Sequence, residues 1–392
     1  MKVEQVQEIV NQMTSEILGE EVAAQLDLTD VVSVGKTLQN AASVDNYIRK
    51  LTDHIGKVVF VDRPYAGRAP SIQMDSWEFG SILEKIDAGI PDAQENPSWN
   101  LKDGQSYSQD KFTAPTDVQV QFFNDMTSFE VPMSIAERQT YSAWSSLQQL
   151  NAFFNMIEDS IQKSMTVKID GLSMATINNY IGYVYNNKAT KPLQAINLLE
   201  GYLKTPGATA GLTAENCLYD LKFLKYAAYQ IKLYATRMGN LSTLFNASGR
   251  PRFTPTDRMK IIMLSDFAEA ADIYLQSDTF HNNFVTLPTA DKISYWQSSG
   301  TGYTFEDVTS INVKVENGSG SGPAVTLSGV LAVLFDRDAL GINNYNRRTK
   351  SFVNQHAEFI NYWYKADARY FNDFKENFVL FYVADVAGGV GG

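Results

Sequence analysis

Apolar residues recur at helical spacing over 3–18, where Val3, Val6, Ile9, Val10, Met13 and Ile17 share one side. A second short helix is predicted over 43–56, with Ser43 as N-cap and Gly56 as its stop. Two short amphipathic helices make a poor core, so 1–56 reads as an arm that packs on something else. The pattern then turns extended. KVVFVDR (57–63) reads as a strand, IQMDSWEFGSILEKI (72–86) as one long strand, and DVQVQFFNDMTSFEVPM (117–133) as another. Residues 91–117 between them are polar and rich in Pro, Gly, Asp and Ser, and such long stretches are usually functional or disordered. Two long strands with a polar tip predict a projecting hairpin. Its apolar residues, Trp77, Phe79 and Ile82, need a partner outside their own segment.

Residues 134–187 carry the strongest helical signal. Leu147, Leu150, Phe154, Ile157 and Ile161 follow a 3,4 spacing, and a second helical pattern follows Gly171. Further helices are predicted over 192–204, with Pro192 in the first turn, over 215–238, and over 256–275 with Thr256 as cap. Cys217 falls inside one of these and reads as a small buried filler. Strands return from about 283. ENGSGSGPA (316–324) reads as a hairpin or loop tip, and GVLAVLF (329–335) as a buried strand. Residues 348–384 hold eleven aromatics between Phe352 and Tyr382 and read as two or three strands, before a flexible GGVGG tail.

Composition narrows the class without naming it. At 392 residues the chain exceeds the size at which single cores stop growing, so two or three sub-domains are expected. Apolar residues at 44% suffice for a packed core and exclude global disorder. The net charge of −11 argues against a duplex-DNA gripping protein, which needs a basic face. A single cysteine allows no internal disulfide and no cysteine-based metal site. The N-terminus lacks the apolar core of a signal peptide, and no apolar run approaches the ~20 residues of a membrane helix. A reducing cytoplasm is therefore expected, and no membrane partner.

Catalytic chemistry is hard to find. GSGSG at 318–322 lacks the register of a nucleophile elbow and the Lys and helix of a phosphate loop, so it reads as a turn. Asp336, Arg337 and Asp338 follow the buried strand. Neighbours on a strand point opposite ways, so a salt-bridging corner is favoured over an acid pair. Asp266, Glu269 and Asp272 repeat at three-residue spacing and read as a solvated helix face. His54, His281 and His356 are far apart in sequence and predict no metal site. Arg250–Pro251–Arg252 and Arg347–Arg348 are small basic clusters. Ion pairs to another subunit are preferred there over light phosphate contact. No cofactor is expected.

The order of elements, with a helical arm, a long hairpin, a long helix, a helical insertion and an aromatic β finish, resembles the Hong Kong 97-type major capsid proteins of tailed bacteriophages. The segment Leu334–Gly341 (LFDRDALG) is similar to a corner seen in many such proteins, and Tyr370–Val379 (YFNDFKENFV) to their closing strand. Phe122 and Phe129–Pro132 before the long helix, and Ser277–His281, carry the likeness further. It looks closest to capsid proteins of small short-tailed phages of Gram-positive hosts.

The resemblance implies an α+β, Hong Kong 97-type fold. Residues 1–56 would be the N-arm, 57–132 the extended loop lying across a neighbour, 133–190 the peripheral domain with its spine helix, 191–325 the axial domain, 326–385 the peripheral return strands, and 386–392 the tail. It implies a non-enzymatic shell protein that assembles with itself as pentamers and hexamers around double-stranded DNA, touched weakly and without specificity. A separate scaffolding protein and a portal protein are the implied partners. The implied places are the virion capsid and, during assembly, the host cytoplasm. Subunit-interface candidates are Arg63, Arg68, Trp77, Phe79, Trp99, Asp336, Arg337, Arg347 and Arg348. The family's type member cross-links a loop Lys to an Asn of a neighbour. Lys102 and Lys111 lie in the loop tip here, but no motif marks an Asn partner, so that chemistry is not carried over. Two rival readings are an encapsulin-like cellular shell and a carbohydrate-binding surface protein. Cargo enzyme inside purified shells would favour the first, and the missing secretion signal argues against the second.

Overall fold

The computed structural model describes residues 72, 74, 83–90, 93, 95–107, 118–136, 147–277, 290–296, 311–316 and 321–385. The predicted N-arm, the strand over 57–63, and Arg63, Arg68, Trp77, Phe79, Ile82, His54 and His281 lie outside the described residues.

The helix predicted in two pieces is a single element, α1 (Leu147–Asn186), which runs through Gly171 without a break. Its 40 residues make a rod about 60 Å long. Two small polar residues in its interior bond back to the helix itself. Ser173 and Thr176 donate to the carbonyls of Ile169 and Leu172, one turn back.

A five-stranded sheet lies against the C-terminal half of α1. Its order is β4 (Ala195–Asn197), β12 (Phe378–Tyr382), β9 (Val330–Asp336), β5 (Met259–Leu264), β6 (Asp291–Ile293). All seven residues of β9 and all five of β12 are buried, as a central strand covered on both faces requires. One face packs Val333, Phe335, Phe378 and Leu380 on Met174, Ile177, Tyr180 and Ile181 of α1. The other packs Leu334, Val379 and Phe381 on α2 (Leu198–Leu203), α3 (Leu221–Met238) and α4 (Ser265–Ser277). Asp220 caps α3 through Phe223 N, and Asn197 caps α2 through Glu200 N.

Strands β3 (Met126–Ala136), β11 (Phe359–Asn372) and β10 (Leu340–Asn354) form a separate antiparallel sheet, with β11 central. β7 (Ile311–Glu316) and β8 (Ser321–Leu327) form a hairpin that lies on α1. Gly182 makes that approach possible. A Cβ there would sit 2.5 Å from Val313 Cγ1.

Five further expectations are corrected. The stretch 256–275 is not one helix. MKIIML is strand β5 and only Ser265–Ser277 is helical. Within 192–204 only Leu198–Leu203 is helical, because Ala195–Asn197 pairs in parallel with β12. The helix over 215–238 splits at Asp220, which leaves Cys217 in a short 3-10 turn. The long strand over 117–133 breaks at Asn124–Asp125, so β2 (Val118–Phe123) and β3 belong to different sheets. In 72–86, Ile72 is in a 3-10 turn and the described strand starts at Leu83, as β1 (Leu83–Ala88). The buried strand read over 329–335 is β9, and the two or three strands read over 348–384 are three, β10, β11 and β12, the first starting earlier, at Leu340.

Candidate assembly interface

β1 and β2 pair antiparallel, from Leu83 opposite Phe123 to Ala88 opposite Val118. Side chains alternate across the ribbon. One face carries Glu84, Ile86, Ala88, Val118, Val120 and Phe122, and the other Leu83, Lys85, Asp87, Gln119, Gln121 and Phe123. The first face is almost wholly apolar, and it points to solvent. Ile86 is 67% exposed, Phe122 63%, Val118 55% and Val120 47%. The second, mostly polar, is turned to the body. A soluble ribbon ordinarily does the reverse.

The polar face is seated by charge. Lys85 Nζ lies 2.8 Å from Asp373 Oδ2 and 3.4 Å from Glu376 Oε1, and it also donates to the Asp338 carbonyl. Asp87 Oδ2 accepts from Arg252 Nη2 at 2.8 Å and Arg250 Nη1 at 3.1 Å. Arg252 Nη1 reaches Glu376 Oε1 at 2.9 Å, which closes the network. Lys375 donates to Gln119 Oε1. Phe123 packs on Phe371, with Lys85 Nζ 5.7 Å above the same ring. Lys85, Asp87, Gln119, Arg252, Asp373 and Glu376 line a cavity of about 280 Å³. Beneath it the buried Tyr180 hydroxyl donates to the Asp373 and Glu376 carbonyls, so α1 holds the β11–β12 turn that supplies the acids. Burial pushes the Glu376 carboxyl above its usual range, against the pull of Lys85 and Arg252. Asp373 and Asp336 add to the rise.

The interface candidates fall in different settings. Trp99 sits in a 3-10 turn of the hairpin tip, capped by Asn96, and is 94% exposed, with Leu101 at 65% beside it. Asp336 is buried and accepts from Asp338 N, while Asp338 pairs with Arg258 at 2.9 Å, so the corner is salt-bridged as expected. Arg337 is exposed and its backbone N donates to the Arg258 carbonyl. Arg347 lies at an irregularity in the β10–β11 register. Arg348 pairs with Asp367 of its own chain. Arg250, Arg252 and Arg348 each find a carboxylate within their own chain. Lys85, Asp87, Asp373 and Glu376 were not singled out from sequence. Their signal is the alternation in LEKIDA and VQVQFF, which sorts residues into two faces but does not tell which face is outward.

Other chemistry is sparse. Glu269 and Asp272 on α4 are exposed or half-buried and share Lys292. Cys217 is fully buried, and desolvation lifts its thiol pKa to about 12, which leaves it inert. His356 lies in the exposed β10–β11 turn. Among the described residues no cluster of His, Cys, Asp and Glu is suited to a metal.

The sandwiched sheet, long helix, separate antiparallel sheet and seated hairpin make an α+β fold of the Hong Kong 97 type. A solved chain titled as the capsid structure of Staphylococcus phage Andhra shares this fold, with a TM-score of 0.51 and 12% identity over 82% of this chain and 86% of that one. A chain from a structure of bacteriophage P68, titled for its head fiber and inner core protein gp22, aligns at TM-score 0.46 and 10% identity, covering 82% and 86%. A chain of Microbacterium phage Oxtober96 aligns at 0.43 and 9%, covering 82% and 93%. No curated protein matches the sequence significantly. The model of the Phi29-like phage major capsid protein family matches residues 6–382, and the chain belongs to that family. It is a shell-forming head protein of the virion capsid and not an enzyme. Neither the encapsulin-like nor the carbohydrate-binding reading is supported.

Proposed function

We propose that this chain builds its shell as pentamers and hexamers in which the outward apolar face of the β1–β2 hairpin covers a neighbouring copy. The exposed row of Ile86, Val118, Val120 and Phe122 is the observation that supports this. An apolar ribbon face is costly to leave in water, and a second copy is the partner a shell protein always has. The reading assigns 1–56 to an N-arm, 57–132 to the extended loop, 133–190 to the spine-helix region, 191–325 to an axial domain and 326–385 to the return strands. Assembly would take place in the host cytoplasm with a separate scaffolding protein and a portal. Contact with packaged double-stranded DNA would be weak, in keeping with the net charge of −11.

Limited proteolysis tests it. Cleavage between Ala88 and Thr116 should be fast in free subunits and suppressed in shells. Deleting 91–114 should spare the subunit fold, since shortening a loop costs little, and cripple the shell. Equal cleavage rates in both states would count against the reading.

A further inference from the structure

A ribbon with one apolar and one polar face would, by burial alone, lay its apolar face on the body. β1–β2 does the opposite, and the ion-pair network at its root is what distinguishes the two placements. Apolar contact is non-directional, whereas Asp87 meets Arg250 and Arg252, and Lys85 meets Asp373 and Glu376, only from one face and in one register. The charges come from three separate segments: β1, the loop before β5, and the β11–β12 turn. All six side chains are at most about one-third exposed, which limits solvent screening.

We infer that Lys85, Asp87, Arg250, Arg252, Asp373 and Glu376 form a keyed seat that fixes which face of the hairpin is offered outward, and so keeps its apolar face for a second copy of this chain. The seat acts before assembly, in the free subunit, and its role in assembly rests on the shell reading above. It is a positioning device: charge pairing sets the orientation, and apolar burial on the neighbour supplies the contact energy.

Cysteine labelling of the full-length free subunit tests it. Ile86→Cys and Gln119→Cys report the two faces, and the buried Cys217 stays silent. In the otherwise unchanged chain Ile86→Cys should react at least about tenfold faster with a maleimide than Gln119→Cys, because one face is open and the other seated. Adding Asp87→Asn with Arg252→Gln should bring that ratio toward one. Amide exchange in β9 and β12 should stay slow, which shows the body intact. The milder Asp87→Asn alone should give an intermediate ratio, and serves if the double variant fails to fold. An unaltered ratio in these variants overturns the inference. Shell formation, followed by light scattering, should slow in the same order. If the unchanged chain keeps a large ratio yet forms no shells under any assembly condition, the shell reading falls and the seat remains. If assembly proceeds unslowed with the ratio lost, the seat has no role in presenting the face and the inference fails.

Discussion

Glu376 shows how one residue can carry opposing demands. It accepts from Arg252 and Lys85, yet burial holds its pKa above the ordinary 4.5. Desolvation therefore outweighs the two cations, helped by the nearby Asp373 and Asp336. A raised folded-state pKa means that the folded protein holds this proton more tightly than the unfolded chain. The stability from this group is full below 4.5 and is lost as pH rises through the raised value. Glu376→Gln, neutral at every pH, should lack this dependence. In thermal melts of the free subunit the variant's stability relative to the parent should be highest near neutral pH and fall on acidification. A relative stability that rises toward acid would show the ion pairs dominating instead. Tyr180 is a second case at this scale. Its hydroxyl serves two carbonyls of the turn that positions Asp373 and Glu376. Tyr180→Phe should cost about 1 kcal/mol or more, since it orphans buried acceptors, and denaturant melts would measure it.

At the scale of elements, Gly182 sets two effects against each other. Alanine in a helix interior is favoured over glycine by up to about 1 kcal/mol. A Cβ at 182, however, would meet Val313 Cγ1 at 2.5 Å and Val315 Cγ2 at 3.1 Å, and overpacking costs about 1–3 kcal/mol. The clash should win, so Gly182→Ala lowers the melting temperature. In a Val313→Ala background, where the nearer methyl is gone, the same change should become neutral or stabilising. Elements were legible in the sequence where length and composition agreed on one type. The short run GVLAVLF is typical of a strand buried on both faces, and the aromatic-rich stretch after it reads as strands. MKIIML failed because six apolar-rich residues joined to a true helix continue a plausible helical stripe, and the pairing with β9 that makes it a strand is long-range. The Asn124–Asp125 break was visible as turn-forming residues, but the switch from one sheet to another depends on β3 pairing with β11, more than two hundred residues away, while β2 pairs with the nearby β1.

At the scale of the whole molecule, the family was legible because its signature lies in packing corners. Asp336–Asp338 and Tyr370–Val379 are quoted in sequence and meet in space, where Asp336 N bonds the Asn377 carbonyl and Asp373 N the Ala339 carbonyl. The hairpin seat was not legible, since its ions converge from positions 85 to 376 and the outward face is decided only when they meet. That face gives the most discriminating prediction. Val120 is 47% exposed and opposite Ile86 in the ribbon, so Val120→Glu removes little contact within the subunit. Surface changes of this kind usually shift stability by less than about 0.5 kcal/mol, and the melting temperature of the free subunit should hardly move. In a shell the same position would bury an unpaired carboxylate at every copy of the contact. A penalty of several kcal/mol at each repeated interface cannot be absorbed, because weak contacts acting together hold a shell. Val120→Glu should therefore leave folded subunits that sediment without forming closed particles, whereas Val120→Ile should assemble normally. Particles formed at the normal rate by Val120→Glu would show that this face meets water, not a neighbour.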